Sequence, residues 1–179
     1  MKINSKWIWA GLLLPLSSAV FGLESDSSQP IEVDADRQKL EMQKNLVTFY
    51  DNVIAVQGSI LIKSDKLVVQ GSEPSGNETM VAYGNPATFY QMMDDGKPVN
   101  AKAQELHYDL ATKVITLIDR AEIKQIDSTV NGDKIVYEIE SQEMVATGNK
   151  NSRVKTVFLP SQVDGSNATN SNDQANGAQ

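Results

Sequence analysis

The chain has no cysteine and a single histidine, His107. The first absence excludes disulfides, thiol nucleophiles, iron–sulfur clusters and cysteine-based zinc sites. The second leaves one imidazole, in Leu106-His107-Tyr108, facing away from both neighbours on a strand. That is the setting of a surface or structural histidine rather than a general base. No Gly-x-Ser-x-Gly elbow is present. Gly71 and Gly76 have the spacing of a phosphate-binding loop, but Asn77-Glu78 stands where Lys-Ser/Thr is required and Pro74 removes an N–H. Basic residues are the minority: 16 Lys and Arg against 23 Asp and Glu, net charge −7. An acidic chain lacks the basic face that non-specific nucleic-acid binding needs. Long apolar runs are also missing after the first 22 residues.

Met1 to Gly22 reads as a targeting segment. Lys2 and Lys6 lead it, Trp7–Leu14 is a short apolar stretch, and Pro15 breaks it before compact residues at Val20–Gly22. Such a segment is removed on export. The mature chain is then expected to start at Leu23, with 14 basic residues left once Lys2 and Lys6 are taken from the 16.

What remains is rich in short branched and aromatic runs. Leu46–Tyr50, Val53–Val56, Ile60–Ile62 and Leu67–Val69 are separated by Asp51-Asn52, Gln57-Gly58 and Ser64-Asp65. Runs of this length between turn-forming residues predict strands. The rhythm returns at Val114–Tyr137. Laid over Leu46–Val69 without gaps, Thr48 meets Thr116, Asp51 meets Asp119, Gln57 meets Gln125, and Asp65-Lys66 meets Asp133-Lys134. Two copies of one β unit are expected, as in architectures that stack similar rungs.

Gln29–Ala35 alternates, with Ile31, Val33 and Ala35 on one face and Glu32, Asp34 and Asp36 on the other. The three acids are read as a solvated face; no calcium loop follows. Gly84-Asn85-Pro86 and Asp94–Pro98 predict turns, and Val154–Leu159 a last strand. From Asp164 the chain is Asn-, Ser- and Gly-rich and is expected to be disordered. Turn signals from Ile31 to Pro160 count about 14–16 short strands, hence an all-β sandwich, jelly roll or β-solenoid. Ile31–Ala35 and Val154–Leu159 are exposed apolar edges, which soluble proteins avoid unless a partner strand pairs with them. No catalytic or metal-binding set emerges and no cofactor is expected. One face carries an excess of bulky groups, among them Ile31, Val33, Phe49, Ile62, Phe89, Tyr108, Leu110 and Tyr137. Besides core filling, it offers an apolar groove between two sheet layers.

The blocks QPIEVDAD, LVTFYDNVIAVQGSILIKSDKLVV, YGNPATFYQ with DDGKPV behind it, ELHYDLATKVITL and NGDKIVY, in this order, resemble the OstA-like N-terminal domain family of periplasmic lipopolysaccharide-transport bridge proteins. The resemblance covers about Gln29–Val163. One departure is Tyr50-Asp51-Asn52, where the family often has a glycine before the asparagine. The resemblance implies a twisted, open-ended β-jelly roll over residues 23–163, between a cleaved leader (1–22) and a tail (164–179). It implies lipopolysaccharide as ligand, its lipid A acyl chains meeting Ile31, Val33, Phe89, Tyr108 and Leu110. It implies head-to-tail stacking through Ile31 and Val33 at one edge and Val154, Val157, Phe158 and Leu159 at the other. An inner-membrane anchored LptC-like protein would pair at the N-terminal edge and an outer-membrane LptD-like translocon domain at the C-terminal edge. The rival readings are a β-solenoid enzyme acting on envelope polysaccharide and a purely structural β filament.

Overall fold

The computed structural model describes residues 26–72 and 77–158; the leader, Leu159 and the tail from Asp164 lie outside the described residues. The described residues hold ten strands and two short 3-10 turns, with no α-helix. The strands are β1 (Glu32–Asp34), β2 (Arg37–Glu41), β3 (Leu46–Gln57), β4 (Ile60–Gln70), β5 (Thr79–Met92), β6 (Pro98–Asp109), β7 (Val114–Gln125), β8 (Ser128–Glu138), β9 (Met144–Thr147) and β10 (Lys155–Val157). All belong to one antiparallel sheet, in which β3 to β8 form a six-strand meander. Among the described residues β1 and β2 pair only with β3, and β9 and β10 only with β8.

Each strand of the meander is interrupted halfway. The pairing shifts at Asp51-Asn52 in β3, Asp65 in β4, Gly84–Pro86 in β5, Gln104 in β6, Asp119-Arg120 in β7 and Asp133 in β8. These bulges line up across the sheet. A bulge adds residues to one strand and bends it, so a row of them is a crease. The sheet folds along it into two layers. The upper layer holds β1, β10 and the halves of the meander around Val53–Gln57; the lower layer holds β2, β9 and the halves around Leu46–Tyr50. Contacts across the layers demonstrate the fold: Tyr108 of lower β6 donates its hydroxyl to Gln57 Oε1 of upper β3 at 3.1 Å.

The expected turns at Asp51-Asn52, Ser64-Asp65 and Gly84-Asn85-Pro86 are therefore bulges inside continuous strands. Asp51 and Asn52 take positive φ, 64° and 51°, with no glycine. Aspartate and asparagine tolerate this conformation better than other side chains. The described residues therefore hold ten strands rather than the expected 14–16, because each of the six long ones runs on through a bulge. Gln57-Gly58 and Asp94–Pro98 are true reversals, at the β3–β4 and β5–β6 connections. The last strand is shorter than Val154–Leu159. It pairs with Thr129–Asn131, between the β8 start at Ser128 and the crease, and only Lys155–Val157 fit.

The repeat is structural. β3 and β7 both have 12 residues, β4 and β8 both 11. The bulge pair Asp51-Asn52 recurs as Asp119-Arg120, at φ 62° and 54°. In the hairpin turns Gly58 (φ 58°) is matched by Ile126 (φ 51°). A β-branched residue held there costs about 1–2 kcal/mol. Ile126→Gly is expected to raise the unfolding free energy by about 0.5–1 kcal/mol, glycine's greater chain entropy offsetting part of the relief. A higher urea midpoint at unchanged slope is the expected reading; a lower one contradicts it.

One face of the folded sheet is apolar and lies between the layers. Leu67, Ala82, Leu106, Ile115, Leu117 and Ile135 are fully buried there. Ile31, Val33, Phe49, Val69 and Leu110 pack against them from the margins. Alternation puts most polar residues outside, with Gln57, Ser64 and Gln91 among the buried exceptions.

Candidate functional site

The interior runs as a band from the β1/β2 edge to the β9/β10 edge, because every strand of the meander contributes inward residues. The five residues singled out for acyl chains all lie on it. Phe89 and Tyr108 are 2 % and 1 % exposed; Ile31, Val33 and Leu110 are half-buried around the same core. Glu32 and Asp34, on the opposite face of β1, are exposed. The layers are joined covalently along the crease. On the other side, at the mouth, hairpin tips of the two layers face one another.

Polar contacts line that mouth, and those of Tyr108 and Tyr137 cross it. The Gln57 amide donates to the carbonyl of Gln29 at 3.1 Å while its oxygen accepts from Tyr108. The Asp26 carboxylate accepts from the Ser59 amide at 2.7 Å, the Ser59 hydroxyl at 2.7 Å and the Gln91 side chain at 3.0 Å. Gly58 permits this approach: a Cβ there would lie 2.4 Å from Asp26 Oδ1. Tyr137 donates to Met93 Sδ at 3.7 Å. Burial, with the Asp26 charge as a second cause, pushes the Tyr108 hydroxyl up to about 12, so it remains a donor at neutral pH. Beside this seam opens a cleft of about 630 Å³, lined among others by Ile60, Met92, Met93, Tyr108 and Ile139. The buried Gln91 Oε1 in its wall has no hydrogen-bond partner among the described residues.

The sequence reading missed this seam. Asp26 precedes every strand and is tied to partners by contacts that no local pattern shows. Gln57 and Gln91 did leave a signal. Each occupies an inward position after apolar ones, Val53 and Ala55 in β3, Ala87 and Phe89 in β5.

The edge residues divide between faces. Val33 pairs with the buried Ala55 and faces inward. Thr156 of β10 pairs with the inward Val130, with Val154 and Phe158 two residues to either side; Val157, paired with Thr129, faces outward. Val154, Val157 and Phe158 are all exposed, Phe158 by 63 %. Leu159 lies outside the described residues.

His107 is on the outer face, 2.5 Å from Glu105. Asp36 accepts from Asn52 at 2.7 Å, and no three ligating side chains converge among the described residues. Among the described residues no helix is long and apolar enough to cross a membrane.

An unclosed, two-layered β roll whose apolar interior reaches both strand edges of the described residues defines a β-jelly-roll module. The family of LptA/(LptD N-terminal domain) LPS transport proteins matches residues 32–143, and the chain belongs to it. It is 45 % identical over 163 residues to the lipopolysaccharide export system protein LptA of Haemophilus influenzae, spanning 90 % of this chain and 95 % of that one. It is 45 % identical over 168 residues to LptA of Escherichia coli, spanning 93 % and 90 %. The crystal structure of LptH, the LptA-homologous periplasmic component of the lipopolysaccharide transport device of Pseudomonas aeruginosa, superposes with a TM-score of 0.71 at 26 % identity, covering 76 % of this chain and all of that one. These relatives are transport proteins, not enzymes, and the reading of the chain as non-enzymatic agrees with them.

Proposed function

We propose that this chain is a periplasmic lipopolysaccharide-binding protein that takes the lipid A acyl chains between its two layers and stacks head-to-tail to bridge the inner and outer membranes. The leader 1–22 directs export, residues 23–163 form the roll, and 164–179 are a tail without a core. An LptC-like strand edge pairs with β1/β2 and an LptD-like edge with β9/β10. The observation that carries the reading is an apolar interior that runs through to free strand edges at both ends.

The physical need is large. Each buried methylene is worth about 0.8 kcal/mol, so several long acyl chains cannot leave a membrane unshielded. The interior of the roll is filled by its own side chains. An entering chain exchanges side-chain contacts for lipid contacts and keeps apolar area buried. Separating the layers breaks hydrogen bonds at the mouth, each worth about 0.5–1.5 kcal/mol net. Met92 and Met93 at the cleft are flexible enough to follow an irregular occupant.

The test is mass spectrometry of the protein purified from an envelope containing lipopolysaccharide. A co-purifying species of lipopolysaccharide mass is expected. Protein bare of lipid, yet still forming long polymers, would favour the structural filament instead.

A further inference from the structure

Two exposed rows of opposite charge stand on the outer face of the upper layer, one at each free edge. At the N-terminal edge Glu32 and Asp34 lie outward, beside Val56 and Ile54. At the C-terminal edge Lys155 lies outward opposite Asn131, and exposed Arg153 comes two residues before it. Among the described residues none of these four has an ion-pair partner. The basic residues of the other N-terminal strand, β2, are engaged: Arg37 with Asp51 at 2.8 Å and Lys39 with Glu41 at 3.1 Å.

Strand directions make the two edges fit. The meander has an even number of antiparallel strands, so β3 and β8 run oppositely, and so do β1 and β10. Placing β10 of one copy beside β1 of the next continues the antiparallel alternation, within the same layer. The same holds for β9 and β2. Outward rows then meet outward rows: Lys155 and Val157 of β10, with exposed Arg153 just before them, against Glu32 and Asp34. A two-fold joint of two N-terminal edges about an axis normal to the layers would set Glu32 and Asp34 against their own copies, acid against acid. One about an axis pointing out of the mouth exchanges the layers and would set them against Arg37 and Lys39, whose charges are already committed.

We infer that Glu32 and Asp34 of one copy and Arg153 and Lys155 of the next form an ionic latch in the upper layer that fixes the polarity of stacking. The inference rests on the head-to-tail reading above. Its partner is a second copy of this chain. Exposed pairs contribute little affinity each; opposed like charges penalise the wrong joint, which is how charge gives specificity.

The experiment uses two charge reversals of the full mature chain, E32K/D34K and R153E/K155E, followed by sedimentation velocity. All four sites are exposed, and melting temperatures within a few degrees of the parent confirm folding. Wild type is expected to form a concentration-dependent ladder that shortens in 1 M salt, where the Debye length is about 3 Å. Each variant alone places like charges at its joint and is expected to remain monomeric at concentrations where wild type stacks. An equimolar mixture restores opposite charges at every joint and is expected to recover the ladder. Ladders from either variant alone, or a mixture that stays monomeric while wild type stacks, overturn the latch and leave the stacking reading intact. A wild type that never associates overturns both.

Discussion

Phe89→Asp is expected to unfold the protein or leave it without lipid-carrying capacity. Phe89 is 2 % exposed and sits mid-layer on β5 between Ile62 of β4 and Ala101 of β6, both buried. Removing the ring alone, in Phe89→Ala, costs about 3–5 kcal/mol from lost burial and the cavity left behind. Aspartate adds the cost of an unpaired carboxylate, several kcal/mol more unless it binds a proton. A domain of this size has about 5–15 kcal/mol in all. The neighbouring outward residue is the control: Thr88→Ala, on the same strand, is expected to change stability by less than about 0.5 kcal/mol. Urea titrations of the three variants check this. A Phe89→Asp variant with the parent's midpoint would mean that the β5 alternation does not point Phe89 into the roll.

The alternation that places Phe89 was legible in the sequence. So were the pairing of Leu46–Val69 with Val114–Tyr137 as repeated hairpins and the inward set from Ile31 to Tyr137. The crease was not. Asp51-Asn52 and Gly84–Pro86 carry the residues of reverse turns because bulges and turns ask the same thing of the backbone, a local departure from extended φ and ψ. Whether the chain then reverses or continues with a bend depends on pairing with strands far away in sequence. Ser64 was misread for the same reason. It is 9 % exposed on an inward position of β4, beside the crease, rather than at an outer turn. Asp26 was invisible for a different reason. It lies in a segment with no periodicity, and its ties to Ser59 and Gln91 join residues 33 and 65 positions away in sequence.

The inner face also constrains how a lipid can be accommodated. The side chains of Phe89, Tyr108 and Leu106 are packed, so no empty channel awaits the acyl chains. The layers must part on the side held by the Tyr108–Gln57 and Tyr137–Met93 contacts, because the crease side is continuous backbone. Exposed inward-side residues at the ends, Leu40 of β2, paired with inward Val47, and Phe158 beyond β10, extend the apolar face to both edges. A neighbouring copy would cover them and lengthen the path without a break.

The most direct test is residue-specific photo-crosslinking to lipopolysaccharide in the assembled envelope. A photoreactive residue is placed in turn at the inward positions Ile31, Phe89 and Tyr108 and at the outward positions Glu32 and Asp109 of the same strands. Capture at the three inward positions and none at the two outward ones is the predicted result; equal capture at Glu32 and Ile31 would contradict a lipid path between the layers.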